Sequence, residues 1–150
     1  MWRRNKATKR KILVVDDEQD FAKALKVRLK ANGYDVVLAF DSIQAFTMAH
    51  KEKPNLIILD IMIPGGGGLA VAERLKLSSY THDIPFVILT GIQGAEGRAY
   101  KAGACSYLIK PYNTDALLSE IKEALEISGR NGTGINKGGV GIVPRTGGFS

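Results

Sequence analysis

Five polar residues stand directly at the ends of short apolar runs. Asp16 and Asp17 follow KILVV (11–15), Asp60 follows LIIL (56–59), Thr90 closes FVILT (86–90), and Lys110 follows SYLI (106–109). Three carboxylates drawn into one pocket repel, and some would stay protonated unless a cation intervened. A hard divalent ion answers that need. Mg2+ takes oxygen ligands and keeps several waters, so one or two carboxylates and a phosphate oxygen suit it. Zn2+ does not fit, because Cys105, His50 and His82 are scattered along the chain and form no zinc ligand set. A lysine ammonium and a threonine hydroxyl beside such an ion can stabilise the equatorial oxygens of a phosphoryl group in transit. One carboxylate can then act as nucleophile and form an aspartyl phosphate. Asp60 is the candidate, since it stands alone ahead of a loop containing Pro64, whereas the adjacent Asp16 and Asp17 are better placed to hold metal.

That chemistry requires residues far apart in sequence to meet, and the pattern between them says how. Apolar runs at 11–15, 35–39, 56–59, 86–89 and 106–109 alternate with helical spacing at 20–31, 43–52, 69–77, 95–102 and from Thr114 to about Ile127. In the first helix Phe21, Ala24, Leu25, Arg28 and Leu29 share a spacing; in the third, Leu69, Ala72, Leu75 and Lys76; in the last, Leu117, Leu118, Ile121, Ala124 and Leu125. Ser42 and Thr114 are the expected N-caps of the second and fifth helices. Asn32-Gly33 and Gly103 are expected helix stops. Strands joined by helices imply an α/β protein with a doubly wound, five-stranded parallel sheet. The nearly unbroken apolar runs agree, since central parallel strands are buried on both faces. A five-stranded sheet favours the order 2-1-3-4-5, which makes the first and third strands neighbours and brings ligands to the carboxyl edge where strand order reverses. Asp and Thr at single strand ends ordinarily cap helices or start turns. Five such residues on one edge, at the ends of four strands, point instead to a site.

Composition divides the chain. With 45% hydrophobic residues in 150, the sequence can build one real core. The formal net charge of +6 is misleading as a whole. Residues 1–11 hold Arg3, Arg4, Lys6, Lys9, Arg10 and Lys11 and no acid; residues 128–150 add Arg130, Lys137 and Arg145, again without acid. The body between them is mildly acidic. The expected organisation is a basic leader at 1–10, a folded domain at 11–127 and a Gly-rich flexible tail at 128–150, the latter equally the composition of a truncated linker. The basic ends are read as solvated charge runs. No apolar stretch approaches the ~18 residues of a membrane span, and a single cysteine fits a reducing, cytoplasmic setting.

The runs KILVVDDEQDF, PNLIILDIMIPGGGGL, FVILT and YLIKPYN together resemble the receiver domain of response regulators in two-component signal transduction systems. The resemblance covers about residues 11–127, with four separated motifs in the family's order. It implies a flavodoxin-like receiver fold and a phosphorylation-activated switch rather than a turnover enzyme. Asp60 matches the phosphoacceptor; Asp16 and Asp17 match the acidic pair, Asp17 being the more direct Mg2+ ligand, and the backbone carbonyl of Met62 matches a further ligand. Lys110 matches the phosphate-pairing lysine and Thr90 the switch hydroxyl. Tyr107 matches the aromatic that moves inward when Thr90 engages the phosphate, and Lys110-Pro111 matches a cis bond. The implied partners are a histidine kinase or phosphotransfer protein and a downstream protein or output domain. The latter would dock on the face of the fourth and fifth strands and helices (Tyr100, Lys101, Tyr107, Thr114, Leu118). A homodimer is compatible with this reading; membrane and nucleic acid are not expected ligands of the domain.

Two departures from the family pattern bear on function. Gly65-Gly66-Gly67-Gly68 stands where one glycine is usual, which should loosen the loop. Gly91 follows Thr90 where alanine or serine is more common, which should open the site to small phosphodonors such as acetyl phosphate. The four glycines also give a loose G-x-G-x-x-A match through Ala70, but it follows the third strand rather than opening the first βα turn, so no dinucleotide cofactor is expected. Among rivals, a helix-turn-helix output needs several helices beyond Ile127. The alternative kept open is a receiver fragment of a longer DNA-binding or enzymatic regulator. A phosphatase of another aspartyl-nucleophile fold would commonly carry a second aspartate at position 62, where this chain has Met62.

Overall fold

The computed structural model describes residues 8–132, with side chains to Gly129. Five βα units follow one another: β1 Lys11–Val15, α1 Gln19–Ala31, β2 Asp35–Ala39, α2 Ser42–Glu52, β3 Leu56–Leu59, α3 Gly68–Lys76, β4 Phe86–Thr90, α4 Glu96–Lys101, β5 Ser106–Ile109 and α5 Thr114–Gly132. The strands form one sheet in the order β2-β1-β3-β4-β5, and every pairing is parallel. This is the doubly wound, five-stranded parallel sheet that the alternation of apolar runs and helical spacing predicts.

Strand side chains alternate between faces, and the core divides accordingly. Ile12, Val14, Leu56, Ile58, Val87 and Leu89 pack with Ala22, Leu25 and Leu29 of α1 and Leu117, Ile121 and Ala124 of α5. Leu13, Val15, Ile57, Leu59 and Ile88 pack on the other face with Ala45 and Ala49 of α2, Val71, Ala72 and Leu75 of α3, and Ala99 of α4. Both faces of β1, β3 and β4 are therefore covered, and the carboxyl edge is left as the place where polar groups gather.

Several local expectations shift. Ala22, not Ala24 or Arg28, lies on the buried stripe of α1 with Leu25 and Leu29. Val71 replaces exposed Lys76 on that of α3. Asp41, one residue before Ser42, caps α2 by accepting from the Gln44 amide at 2.8 Å. Ser42 lies inside the helix and turns its hydroxyl to the Gly65 carbonyl at 2.9 Å. Likewise Asn113, not Thr114, accepts from the Ala116 amide at 2.9 Å, while Thr114 Oγ1 accepts from Arg28 at 3.1 Å. α5 runs past Ile127 to Gly132, into the segment expected from 128 to be non-helical. Glycine and serine there extend an existing helix whose apolar face is already docked. Residues 8–10 are exposed and irregular. The rest of the basic leader, with Trp2, and the tail from 133 lie outside the described residues.

The four-glycine loop is pinned rather than slack. The Ser42 amide donates to the Pro64 carbonyl at 3.1 Å, and the Gly68 amide to the Ile61 carbonyl at 2.8 Å. Gly65 has φ of +96°, and a Cβ there would collide with Ser42 Oγ. Gly68 has no such dihedral, but a Cβ would collide with the Asp60 carbonyl oxygen. The first needs glycine for backbone and space, the second for space alone. Their combined effect is to bring α3 directly against the end of β3.

Candidate functional site

Register assembles the site. Val15 pairs with Leu59, so Asp16 and Asp60 leave neighbouring strands at the same height. The Asp60 amide donates to the Val15 carbonyl at 3.0 Å. Thr90 pairs with Ile109, and the Lys110 amide donates to the Thr90 carbonyl at 2.9 Å. Four residues separated by up to 94 positions (16 to 110) thereby share one edge.

Lys110 is the hub. Its Nζ lies 2.8 Å from Asp16 Oδ2, 3.0 Å from Asp60 Oδ2 and 2.7 Å from Glu18 Oε1. Asp16 and Asp60 are buried at 2% and 5% exposure, and pairing with an ammonium offsets the cost of burying their charge. Asp16 Oδ1 also accepts from the Glu18 amide at 2.9 Å. Asp60 Oδ1 accepts from the fully buried Thr90 hydroxyl at 2.6 Å and from the Met62 amide at 3.1 Å. Both carboxylate oxygens of Asp60 thus face donors suited to a more negatively charged group.

Burial raises the pKa of Asp16, opposed by hydrogen bonds from Lys110 and the Glu18 amide. Burial alone would lower the pKa of the Lys110 ammonium, but hydrogen bonds to Asp16, Glu18 and Asp60 outweigh it and hold the group well above the ordinary lysine value. Three carboxylates on one ammonium leave the cluster negatively charged. The donors are all oxygen, and two buried carboxylates converge on a single cation, so the set fits Mg2+ in kind.

The third carboxylate on Lys110 is Glu18, not Asp17. Asp17 is exposed at the rim, and among the described residues no group of three His, Cys, Asp or Glu is close enough to hold a metal by itself. Met62 reaches Asp60 through its amide, and the residue is 61% exposed. Glu18 and Phe21 were not singled out among the candidates by sequence. Phe21 places its ring 4.3 Å from Lys110 Nζ. The signal for Glu18 was its place directly after the acidic pair; Phe21 carried none beyond helical spacing. Tyr107 donates its hydroxyl to the Ile92 carbonyl at 2.6 Å, two residues beyond Thr90, and burial raises its pKa. Lys110-Pro111 is cis.

Comparison with known proteins agrees with this fold. The family model for the response regulator receiver domain matches residues 12–122. The chain belongs to the response regulator receiver family. A probable transcriptional regulator ycf27 from Porphyridium aerugineum is 34% identical over 137 residues, covering 90% of this chain and 56% of the relative. The corresponding protein of Cyanophora paradoxa is 39% identical over 119 residues, 78% of this chain and 48% of the relative. The chain therefore spans about half the length of the curated relatives it matches. The crystal structure of a putative response regulator from Chloroflexus aurantiacus superposes with a TM-score of 0.75 at 30% identity, covering 79% of this chain and 99% of that one. The chemotaxis response regulator CheY4 of Vibrio cholerae gives 0.72 at 28% identity, covering 78% and 99%. Receiver domains are signalling switches that generally bind Mg2+ at the acidic pocket and interact with histidine kinases and output domains. Among the described residues no helix is long and apolar enough to cross a membrane.

Proposed function

We propose that Asp60 is the phosphoacceptor of this receiver and that Asp16, Asp17, Asp60 and the Met62 carbonyl provide the Mg2+ site. The observation that carries the reading is the convergence of Asp16, Asp60, Thr90 and Lys110 on one pocket. A carboxylate oxygen of Asp60 attacks the phosphorus of a partner kinase's phosphohistidine. The new O–P bond forms as the P–N bond breaks, and the electron pair leaves with the imidazole nitrogen. Bound Mg2+ would supply charge neutralisation and oxygen coordination to the phosphoryl group in transit. Lys110 then exchanges carboxylate for phosphoryl oxygens, and the Thr90 hydroxyl donates to the phosphoryl group instead of to Asp60 Oδ1. Because Tyr107 is bonded to Ile92, a shift at Thr90 is felt directly at Tyr107 and along the face of α4, β5 and α5. Phosphorylation thus biases a two-state surface, and hydrolysis by an in-line water resets it. The setting is cytoplasmic, where histidine kinases present their phosphohistidines.

The relatives named as probable transcriptional regulators favour one further statement: this receiver serves a regulator of transcription. The test of the main reading is intact mass after incubation with acetyl phosphate, with and without Mg2+. One phosphoryl group is expected on wild type with Mg2+ and none after chelation. Labelling that ignores Mg2+ would contradict the proposed site.

A further inference from the structure

We propose that Phe21 is a positioning residue for Lys110, holding its ammonium over the Asp16–Asp60 pair with the face of the ring. The proposal rests on the reading of Asp60 as phosphoacceptor. Phe21 lies in the first turn of α1, half-buried. Lys110 Nζ is 4.3 Å from the ring centroid, inside the ~6 Å at which a ring's quadrupole attracts a cation. The same ring meets Tyr112 edge-on, with centroids 6.0 Å apart and planes at 90°. Tyr112 follows Lys110-Pro111, so one side chain touches both the tip of the lysine and the segment that carries it.

The need for such a wall follows from the three carboxylates. The ammonium has three N–H donors, one for each of Asp16, Glu18 and Asp60. Asp16 and Asp60 are buried, but the Glu18 side chain is 63% exposed. Glu18 therefore offers Lys110 a route outward into solvent, away from the oxygen that is to be phosphorylated. The ring face closes a flank of the ammonium that no further hydrogen bond can hold. Phe21 also packs against the α1–α5 core, a role that leucine would fill equally well, but leucine has no negative face.

The test uses the full chain as wild type, Phe21→Leu and Phe21→Tyr, with thermal melting to confirm the fold. The first readout is the rate of Mg2+-dependent labelling by acetyl phosphate. The second is the rate at which Lys110 is acylated by an amine-reactive ester in the unphosphorylated protein, read by peptide mass. Phe21→Leu is expected to label about fivefold more slowly, ~1 kcal/mol on the scale of a cation–π contact, and to acylate faster at Lys110. Phe21→Tyr, which keeps the ring, should match wild type in both. Leucine behaving as wild type in both assays, or tyrosine as impaired as leucine, overturns the proposal. If wild type takes no label at all, the phosphoacceptor reading fails, and the acylation rates alone decide: equal values in wild type and Phe21→Leu then refute a positioning role. Should Phe21→Leu melt early, Phe21→Met supplies the apolar, ringless variant.

Discussion

Lys110 makes three ion pairs with acids of opposite character: two buried at strand ends and one exposed at the start of a helix. Only the buried pair is fixed by the sheet, so Glu18 is the partner that can be removed without dismantling the pocket. Glu18→Gln should leave stability within about 0.5 kcal/mol, as for most exposed pairs, and speed acetyl phosphate labelling by freeing Lys110 for the phosphoryl group; slower labelling would contradict its role as a competing acceptor. Asp16→Asn removes a direct oxygen charge, and Mg2+ affinity should fall at least ~10–100-fold, the range seen when even outer-shell partners are lost; calorimetric titration reads this. A Cβ at Gly91 meets nothing within 4 Å, so Gly91→Ala should fold normally yet label more slowly with acetyl phosphate by narrowing access. Clearly faster labelling would refute the idea that this glycine opens the site. At this scale Asp16, Asp60, Thr90 and Lys110 were legible in the sequence because each ends an apolar run. Glu18 and Phe21 were not, because neither ends an apolar run: they stand just before and in the first turn of α1 and meet Lys110 through its side chain alone.

Among the elements, the loop between β3 and α3 departs most from its sequence expectation. A run of four glycines reads as slack by composition, yet Gly68 lies against the Asp60 carbonyl and Gly65 against Ser42. Gly68→Ala must therefore shift α3 or the end of β3, and should cost ~1–3 kcal/mol as overpacking, measured by urea denaturation. A neutral result would mean that the loop adjusts freely. The start of β1 gives a pH-dependent case. Lys11 donates to Glu52 at 2.8 Å and lowers that carboxyl's pKa. A lowered folded-state pKa contributes stability that is present above the unfolded value and lost as pH falls through the folded one. Glu52→Gln should thus be slightly less stable than wild type at neutral pH and equal to it in strong acid. Element types were readable from periodicity, whereas caps were not: Asp41 and Asn113 each stand one residue before the expected Ser42 and Thr114, and both residues of each pair are good capping types. The end of α5 was misread for a different reason. Glycine content signals a stop, but a helix already docked through Leu117, Ile121 and Ala124 is carried further by packing than by propensity.

Over the whole molecule, two core layers hold a sheet whose carboxyl edge concentrates buried acids. Such an edge is stabilised by any cation that binds the folded state alone. Mg2+ at tenfold above its dissociation constant should add ~1.4 kcal/mol to unfolding free energy, and Asp16→Asn should lose that increment at the same concentration. The sheet order was legible because five βα units admit few topologies; which acid would reach Lys110 depended on side-chain direction at the strand ends, which no periodicity encodes. The phosphoryl group is expected to reside on Asp60. Reduction of the phosphorylated protein with borohydride converts an aspartyl phosphate to homoserine, and peptide mass spectrometry locates it. Homoserine is expected at position 60 with unmodified aspartate at 16 and 17; conversion at 16 or 17, or phosphate retained on a serine or threonine, would contradict Asp60 as the phosphoacceptor.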